Sequence, residues 1–205
     1  MRLINILLFI TFFFFTWGQL GRLSLPDQPV FAYFYEVFLV LTLILMGITY
    51  KANPFQEYKN LFYSLALFFG WCIITFILSL SRYTTLQNLV GSLYLLRLLT
   101  YYLFLVYGLY HIRHTKVRLG IVHYVGVSGI LLPCLVQYFL YQDFGNLAYM
   151  GWDPHQYRLV GLFFDPPITV SVLALLMIFL INVYIVLKKN IYLILAALTL
   201  GMIVL

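Results

Sequence analysis

The segment from Tyr157 to Ala174, YRLVGLFFDPPITVSVLA, holds the residues with the clearest chemical potential. Arg158 supplies a cation, and Gly161 lets the backbone approach a ligand closely. Asp165 precedes two prolines, which suit the first turn of a helix because proline fixes φ and lacks an N–H, so Asp165 is predicted to cap that helix. A cation just outside a helix at a membrane surface predicts an anion site or an interfacial anchor, and residue chemistry alone favours the anchor.

Two further ionisable candidates lie within apolar runs. Arg97 is about eleven residues into a predicted helix that starts at Leu86, which places it roughly 16 Å deep at 1.5 Å per residue. Glu36 lies near the outer end of another predicted helix. Such side chains usually face a bundle interior or a wet cavity, so both are expected to point inward, where they can pair. A structural ion pair is the favoured interpretation, and a substrate-binding role is the alternative.

The residues between Gln142 and Tyr157 mix aromatic and polar side chains. Such a segment predicts either an interfacial shelf that meets a lipid-linked substrate or an ordinary wet loop with aromatic anchors. His155 lies in this segment and is a candidate for contact with substrate, because histidine serves as an acid or a base, although a solvated loop histidine is the commoner case.

Composition places these candidates in a membrane. The chain is 64% hydrophobic and 9% charged, whereas roughly a quarter of the residues of an ordinary soluble domain are charged. The net charge of +6 therefore reports membrane topology, and no nucleic-acid partner is expected. Cys72 and Cys134 lie in apolar runs and are interpreted as packing residues. The chain contains no Walker, dinucleotide-binding, HExxH or GxSxG motif, so we predict no metal and no nucleotide cofactor.

The fold is predicted to be an all-α, polytopic membrane bundle of about seven transmembrane helices. A spanning helix needs ~20 apolar residues, and seven candidate runs follow one another along the chain. They are Leu3 to Trp17, Phe31 to Tyr50, Leu61 to Leu80, Leu86 to about Tyr110, Leu119 to Tyr141, Ile168 to Leu187, and Ile191 onward. We predict a single transmembrane domain over residues 1–205, in which 142–167 is an outer-face loop.

The basic residues predict the orientation of the bundle. With the N-terminus in the cytoplasm, eight of the twelve Lys and Arg residues fall on the cytoplasmic side: Arg2, Lys51, Lys59, Arg113, Lys116, Arg118, Lys188 and Lys189. Arg22, Arg82 and Arg158 fall outside, and Arg97 lies within a helix. The positive-inside rule favours this arrangement, which places Arg158 on the outer face of the cytoplasmic membrane.

The segment around Arg158 also resembles the central motif of the O-antigen ligase and O-antigen polymerase family of membrane glycosyltransferases. The matching positions are Arg158, Leu159, Gly161, Phe163, Asp165 and Pro166. The family usually has Asn at the next position, where this chain has Pro167. The resemblance implies transfer of a glycan from an undecaprenyl diphosphate carrier to a glycan or lipid acceptor during assembly of cell-surface polysaccharide. Arg158 would hold the diphosphate, and no catalytic base is assigned.

The last apolar run bears on whether the chain contains the whole of such an enzyme. Ile191 to Leu205 is unbroken and lacks a polar terminator, so we expect the chain to be the N-terminal portion of a longer domain and to be inactive alone. A transporter or flippase for a lipid-linked or anionic solute, with Arg97 and Glu36 in its pathway, is the alternative function. A non-catalytic subunit of a membrane assembly is a third interpretation.

Overall fold

The computed structural model describes residues 2–24, 31–50, 54–115, 119–146 and 158–204. Over these residues the chain is all-α, as predicted, apart from one short β-ribbon. The eight helices of the described residues are α1 (Arg2–Thr16), α2 (Phe34–Thr49), α3 (Pro54–Glu57), α4 (Lys59–Ser79), α5 (Thr85–His114), α6 (Leu119–Leu140), α7 (Pro166–Leu187) and α8 (Asn190–Val204).

Three of these helices, α4, α5 and α7, are long and apolar enough to cross a membrane. The helices α1, α2 and α8 are apolar but shorter, as is the part of α6 from Val125 to Leu140. All seven helix candidates of the sequence therefore correspond to apolar helices, and the number that cross a membrane stays a prediction.

The observed helices differ most from the predicted boundaries at three places. Phe31–Tyr33 forms a strand, β2, that pairs with β1 (Arg22–Ser24), so α2 begins three residues later than predicted. A short apolar run is ambiguous between helix and strand when judged by periodicity alone, which explains this error. The helix α5 continues past its predicted end at about Tyr110 to His114, and His111, Arg113 and His114 in its last turn suit the negative end of the helix dipole. The interval between the predicted helices Phe31 to Tyr50 and Leu61 to Leu80 contains α3.

The chain divides into two compact units. The first comprises Met1–Leu8, Leu23–Ala32 and Glu36–Val117. Its core joins α1, α2 and α5 through Ile4, Leu8, Met46, Phe104 and Tyr107. The helix α4, all of whose residues are described, buries none of its side chains. A helix that is apolar all round and unburied suits a lipid environment.

The second unit comprises Phe9–Arg22, Tyr33–Tyr35 and Arg118–Leu205. Its core joins α6, α7 and α8 through Ile130, Cys134, Leu173, Leu180, Ala196 and Met202. The helices α7 and α8 form a hairpin, in which Lys188 adopts a left-handed conformation and donates its N–H to the carbonyl of Tyr184 at 2.7 Å. A left-handed residue commonly ends a helix, and its N–H satisfies one of the last carbonyls of α7 at the point where the chain reverses.

Candidate functional site

The turn from Arg158 to Phe164, which we call the Arg158 turn, is held by the side-chain amide of one residue of α6. Gln137, on α6, accepts at Oε1 hydrogen bonds from the backbone N–H groups of Val160 at 2.9 Å and Gly161 at 3.2 Å. Its Nε2 donates to the carbonyl of Arg158 at 3.2 Å and to that of Tyr141 at 3.1 Å. The backbone of the turn is therefore tied to α6 at three of its residues.

The same turn is also tied to α7. The hydroxyl of Thr169, which is buried, donates to the carbonyl of Val160 at 2.6 Å. Residues Gly161–Phe163 form one turn of 3-10 helix, and Phe164 closes it with a left-handed φ of 54°. These contacts fix the backbone that leads from Arg158 to Asp165.

Asp165 caps α7, as the sequence predicts. Its Oδ1 accepts a hydrogen bond from the N–H of Ile168 at 3.0 Å, and Pro166 and Pro167 occupy the first two positions of the helix. The helix therefore begins two residues before the predicted start at Ile168. A carboxylate engaged in this way also complements the positive end of the helix dipole.

Gly161 fills a position that only glycine suits. Its φ is +52°, and a Cβ built on it would lie 2.7 Å from the Sγ atom of Cys134. Its backbone N–H is already bound by Gln137. The close approach predicted from the sequence is therefore made to α6 in this structure, and a close approach to a ligand stays a prediction.

Arg158 is exposed at the start of this turn. Among the described residues, no carboxylate lies within 4.0 Å of its guanidinium. Asp165, seven residues on, is occupied with the N-terminus of α7. The guanidinium is thus a cation on a fixed piece of backbone, which can bind an anion or anchor the chain at an interface.

The described part of the predicted outer loop packs against this turn. Phe144 is buried, and its ring contacts that of Phe164 with centroids 5.8 Å apart. A groove of about 360 Å³, lined mainly by apolar residues of α6, the loop and the turn, lies beside them. His155 lies outside the described residues, as does the stretch from 147 to 157.

The predicted pair of Arg97 and Glu36 is confirmed, within the first unit. The Nε atom of Arg97 lies 2.9 Å from Oε1 of Glu36, and Nη2 lies 3.1 Å from Oε2. Nη2 also donates to the carbonyl of Phe31, and the Tyr101 hydroxyl donates to Glu36. The side chains retain 22% and 14% of their exposure, and they line a small cavity of about 180 Å³. Both are thus largely turned inward, as expected.

Two histidines near the end of α5 have separate environments. His111 is fully buried; its Nδ1 contacts the Tyr50 hydroxyl, and its Nε2 lies 2.6 Å from Oδ1 of Asn5. His114 is exposed and lies 2.8 Å from Oε2 of Glu57. Within the described part of the chain, no three His, Cys, Asp or Glu side chains come together as a metal site would need.

Sequence reasoning missed the side chains that shape both sites. Gln137, Thr169 and Tyr101 each bind a candidate residue or the backbone beside one. An amide inside an apolar helix was a signal for Gln137, because a buried polar group needs partners. The identity of those partners depends on the packing of α6 against the Arg158 turn, which periodicity does not reveal.

Comparison with protein-family models, with curated proteins and with solved structures finds no match to this chain.

Proposed function

We propose that this chain is part of an O-antigen ligase-like membrane glycosyltransferase, as the resemblance of its Arg158 segment implies. The observation that carries the proposal is the exposed guanidinium of Arg158 on a turn tied to α6 by Gln137 and to α7 by Thr169. A catalytic cation is useful when its position is fixed before the substrate arrives, since no reorganisation is then needed in the transition state.

The proposed reaction transfers a glycan between two oxygens. The bond between the sugar C1 and the diphosphate oxygen breaks, a bond from C1 to an acceptor hydroxyl oxygen forms, and undecaprenyl diphosphate leaves with the bonding electron pair. Arg158 would bind the diphosphate, where negative charge develops as the bond breaks. The acceptor proton passes to a base that we do not assign. The apolar groove beside the turn suits the hydrocarbon chain of such a donor.

The proposal requires the Arg158 turn to lie on the outer face of the cytoplasmic membrane. We propose that seven helices cross the membrane with the N-terminus inside. In a cysteine-free background, an impermeant thiol reagent should label a cysteine placed at Asn146 in intact cells and spare one placed at Lys116. The reverse pattern would place the Arg158 turn on the cytoplasmic side and remove the proposal.

Arg158→Lys and Arg158→Ala, introduced into the full-length protein in its native membrane, test the role of the guanidinium. Arginine presents two parallel donors to a diphosphate oxygen pair, whereas lysine presents a point charge. We therefore expect normal protein levels and transfer reduced about tenfold to a thousandfold in both variants, equivalent to ~1.4–4 kcal/mol of transition-state stabilisation.

Arg82 provides a matched control, since it is exposed and is predicted to lie on the same side of the membrane. Arg82→Lys and Arg82→Ala should leave transfer unchanged. If Arg158→Lys retains wild-type transfer, Arg158 is an interfacial anchor, because both cations can snorkel.

Transport of an anionic solute is the second candidate function, favoured by the cavity beside Arg97 and Glu36. The contacts of this pair with Phe31 and Tyr101 give it a structural explanation as well. Solute uptake into sealed vesicles, lost in Arg97→Lys with a normal protein level, would support transport. Uptake equal to that of protein-free vesicles would exclude it.

A further inference from the structure

Gln137 uses its whole hydrogen-bonding capacity on backbone atoms around Arg158. An amide side chain offers two acceptor positions and two donors. The two acceptor positions bind the N–H groups of Val160 and Gly161, and the two donors bind the carbonyls of Arg158 and Tyr141. All four contacts are 2.9–3.2 Å long, and the side chain is 6% exposed.

This arrangement determines which groups can meet a ligand. The N–H groups of Val160 and Gly161 follow an exposed arginine, where successive free amides could bind an anion. Gln137 occupies both of them, so they are closed to a ligand. The group that remains to bind an anion at this turn is therefore the guanidinium of Arg158. Gln137 also holds the backbone carbonyl of Arg158 in place.

We propose that Gln137 is a positioning residue for Arg158, acting on the diphosphate of the donor through the backbone of the turn. The inference rests on the proposed function for the identity of the ligand. Gln137 itself contacts no substrate. It fixes the backbone from which the guanidinium extends, and a misplaced catalytic group lowers the rate steeply even when it is still present.

Two substitutions separate the contacts of the amide. Gln137→Glu keeps an acceptor oxygen at nearly the same size but removes both donors, so it releases the carbonyl of Arg158. Gln137→Met keeps a similar length and removes all four contacts. Asn182→Leu is the control, because Asn182, on α7 in the same unit, is exposed and donates to the carbonyl of Ile178 in its own helix.

The first measurement is amide hydrogen exchange in the peptide that covers residues 158–164. Gln137→Met should raise exchange at Val160 and Gly161 by at least tenfold, Gln137→Glu should raise it less, and Asn182→Leu should not change it. Unchanged exchange in Gln137→Met would overturn the proposal, because the amide would then not hold the turn. Gln137→Glu serves as the test variant if Gln137→Met does not reach the membrane.

The second measurement is glycan transfer by the full-length protein in its native membrane, corrected for the amount of folded protein. Gln137→Met should lower kcat about tenfold to a hundredfold with a smaller change in the KM of the acceptor. In an Arg158→Ala background the same substitution should have no further effect, since the residue acts through Arg158. A merely structural role would instead lower the activity of both backgrounds by the same factor, and that result would overturn the proposal.

Binding of farnesyl diphosphate to the detergent-solubilised full-length protein keeps this test separate from the proposed function. If the wild-type protein transfers no glycan but binds the probe, and Gln137→Met weakens binding tenfold only when Arg158 is present, the glycosyltransferase proposal fails and the positioning role stands. If the wild-type protein transfers glycan and Gln137→Met does so equally well, the positioning role fails and the proposed function stands. Absence of both binding and transfer in the wild-type protein would overturn both.

Discussion

Arg97 and Glu36 meet through two parallel contacts, Nε to Oε1 at 2.9 Å and Nη2 to Oε2 at 3.1 Å. This fork geometry joins α5 to α2, and the bond from Arg97 to the carbonyl of Phe31 adds β2 to the connection. The Tyr101 hydroxyl supplies another donor to the carboxylate. Both charges are therefore paired and hydrogen-bonded, which is what allows them to lie among apolar side chains.

Removing one member of this pair should destabilise the protein more than removing both members. Arg97→Met or Glu36→Leu alone leaves a partly buried charge without its partner and should lower the free energy of unfolding by about 3–5 kcal/mol. The double variant should lower it by less than either single variant. Unfolding with a denaturing detergent, followed by circular dichroism, measures these differences.

The pair of Glu57 and Arg113 provides the control for this cycle. Its atoms lie 3.0 Å apart, but the Arg113 side chain retains 64% of its exposure. Glu57→Gln should therefore cost at most about 1 kcal/mol. Single Arg97 and Glu36 variants as stable as the wild type would show that the pair contributes nothing to the fold and would favour a role in a transport pathway.

The N-terminal cap of α7 should contribute measurably to stability. Asp165→Ala removes the acceptor for the N–H of Ile168 and should cost about 0.5–2 kcal/mol, whereas Asp165→Ser should recover most of the loss. Thr84 is the matched comparison, since it caps α5 in a capping box with Gln87. Thermal unfolding in detergent should rank Thr84→Ala near Asp165→Ala. An Asp165→Ala variant as stable as the wild type would contradict the capping role.

The elements predicted well from the sequence are those that local residue types determine. The helices follow from long apolar runs, and the Asp165 cap follows from an aspartate placed before two prolines. The pairing of Arg97 with Glu36 followed from the cost of isolated charges in an apolar setting. The four hydrogen bonds of Gln137 could not be predicted in this way. Its partners are backbone atoms, which have no signature in the sequence and come near the amide only through tertiary packing.

The contact between the Tyr50 hydroxyl and the buried His111 ring should contribute to stability. Asn5 Oδ1 can only accept, so a neutral His111 ring donates from Nε2 and accepts at Nδ1 from the Tyr50 hydroxyl. The imidazole and the phenol therefore satisfy each other's hydrogen-bonding groups, as buried polar groups generally require.

Tyr50→Phe tests this contribution. It leaves His111 Nδ1 without a donor and should lower the free energy of unfolding at neutral pH by about 1–3 kcal/mol. Tyr83→Phe, at an exposed position, should leave the free energy of unfolding unchanged. Thermal unfolding in detergent measures both variants, and a Tyr50→Phe variant as stable as the wild type would contradict the prediction.

Gly161 and Cys134 should show a non-additive pair of substitutions. Gly161→Ala places a methyl group 2.7 Å from Cys134 Sγ and forces a side chain into a left-handed conformation, so it should cost more than the ~1–2 kcal/mol of the backbone strain alone. Cys134→Ala removes the colliding atom, and in that background Gly161→Ala should cost only the strain. Gly108→Ala, a helical position with open space around its Cβ, should instead be neutral or stabilise by up to about 1 kcal/mol. Equal costs of Gly161→Ala in both backgrounds, measured by thermal unfolding, would show that the turn shifts away from α6 and that the close contact does not determine the choice of glycine.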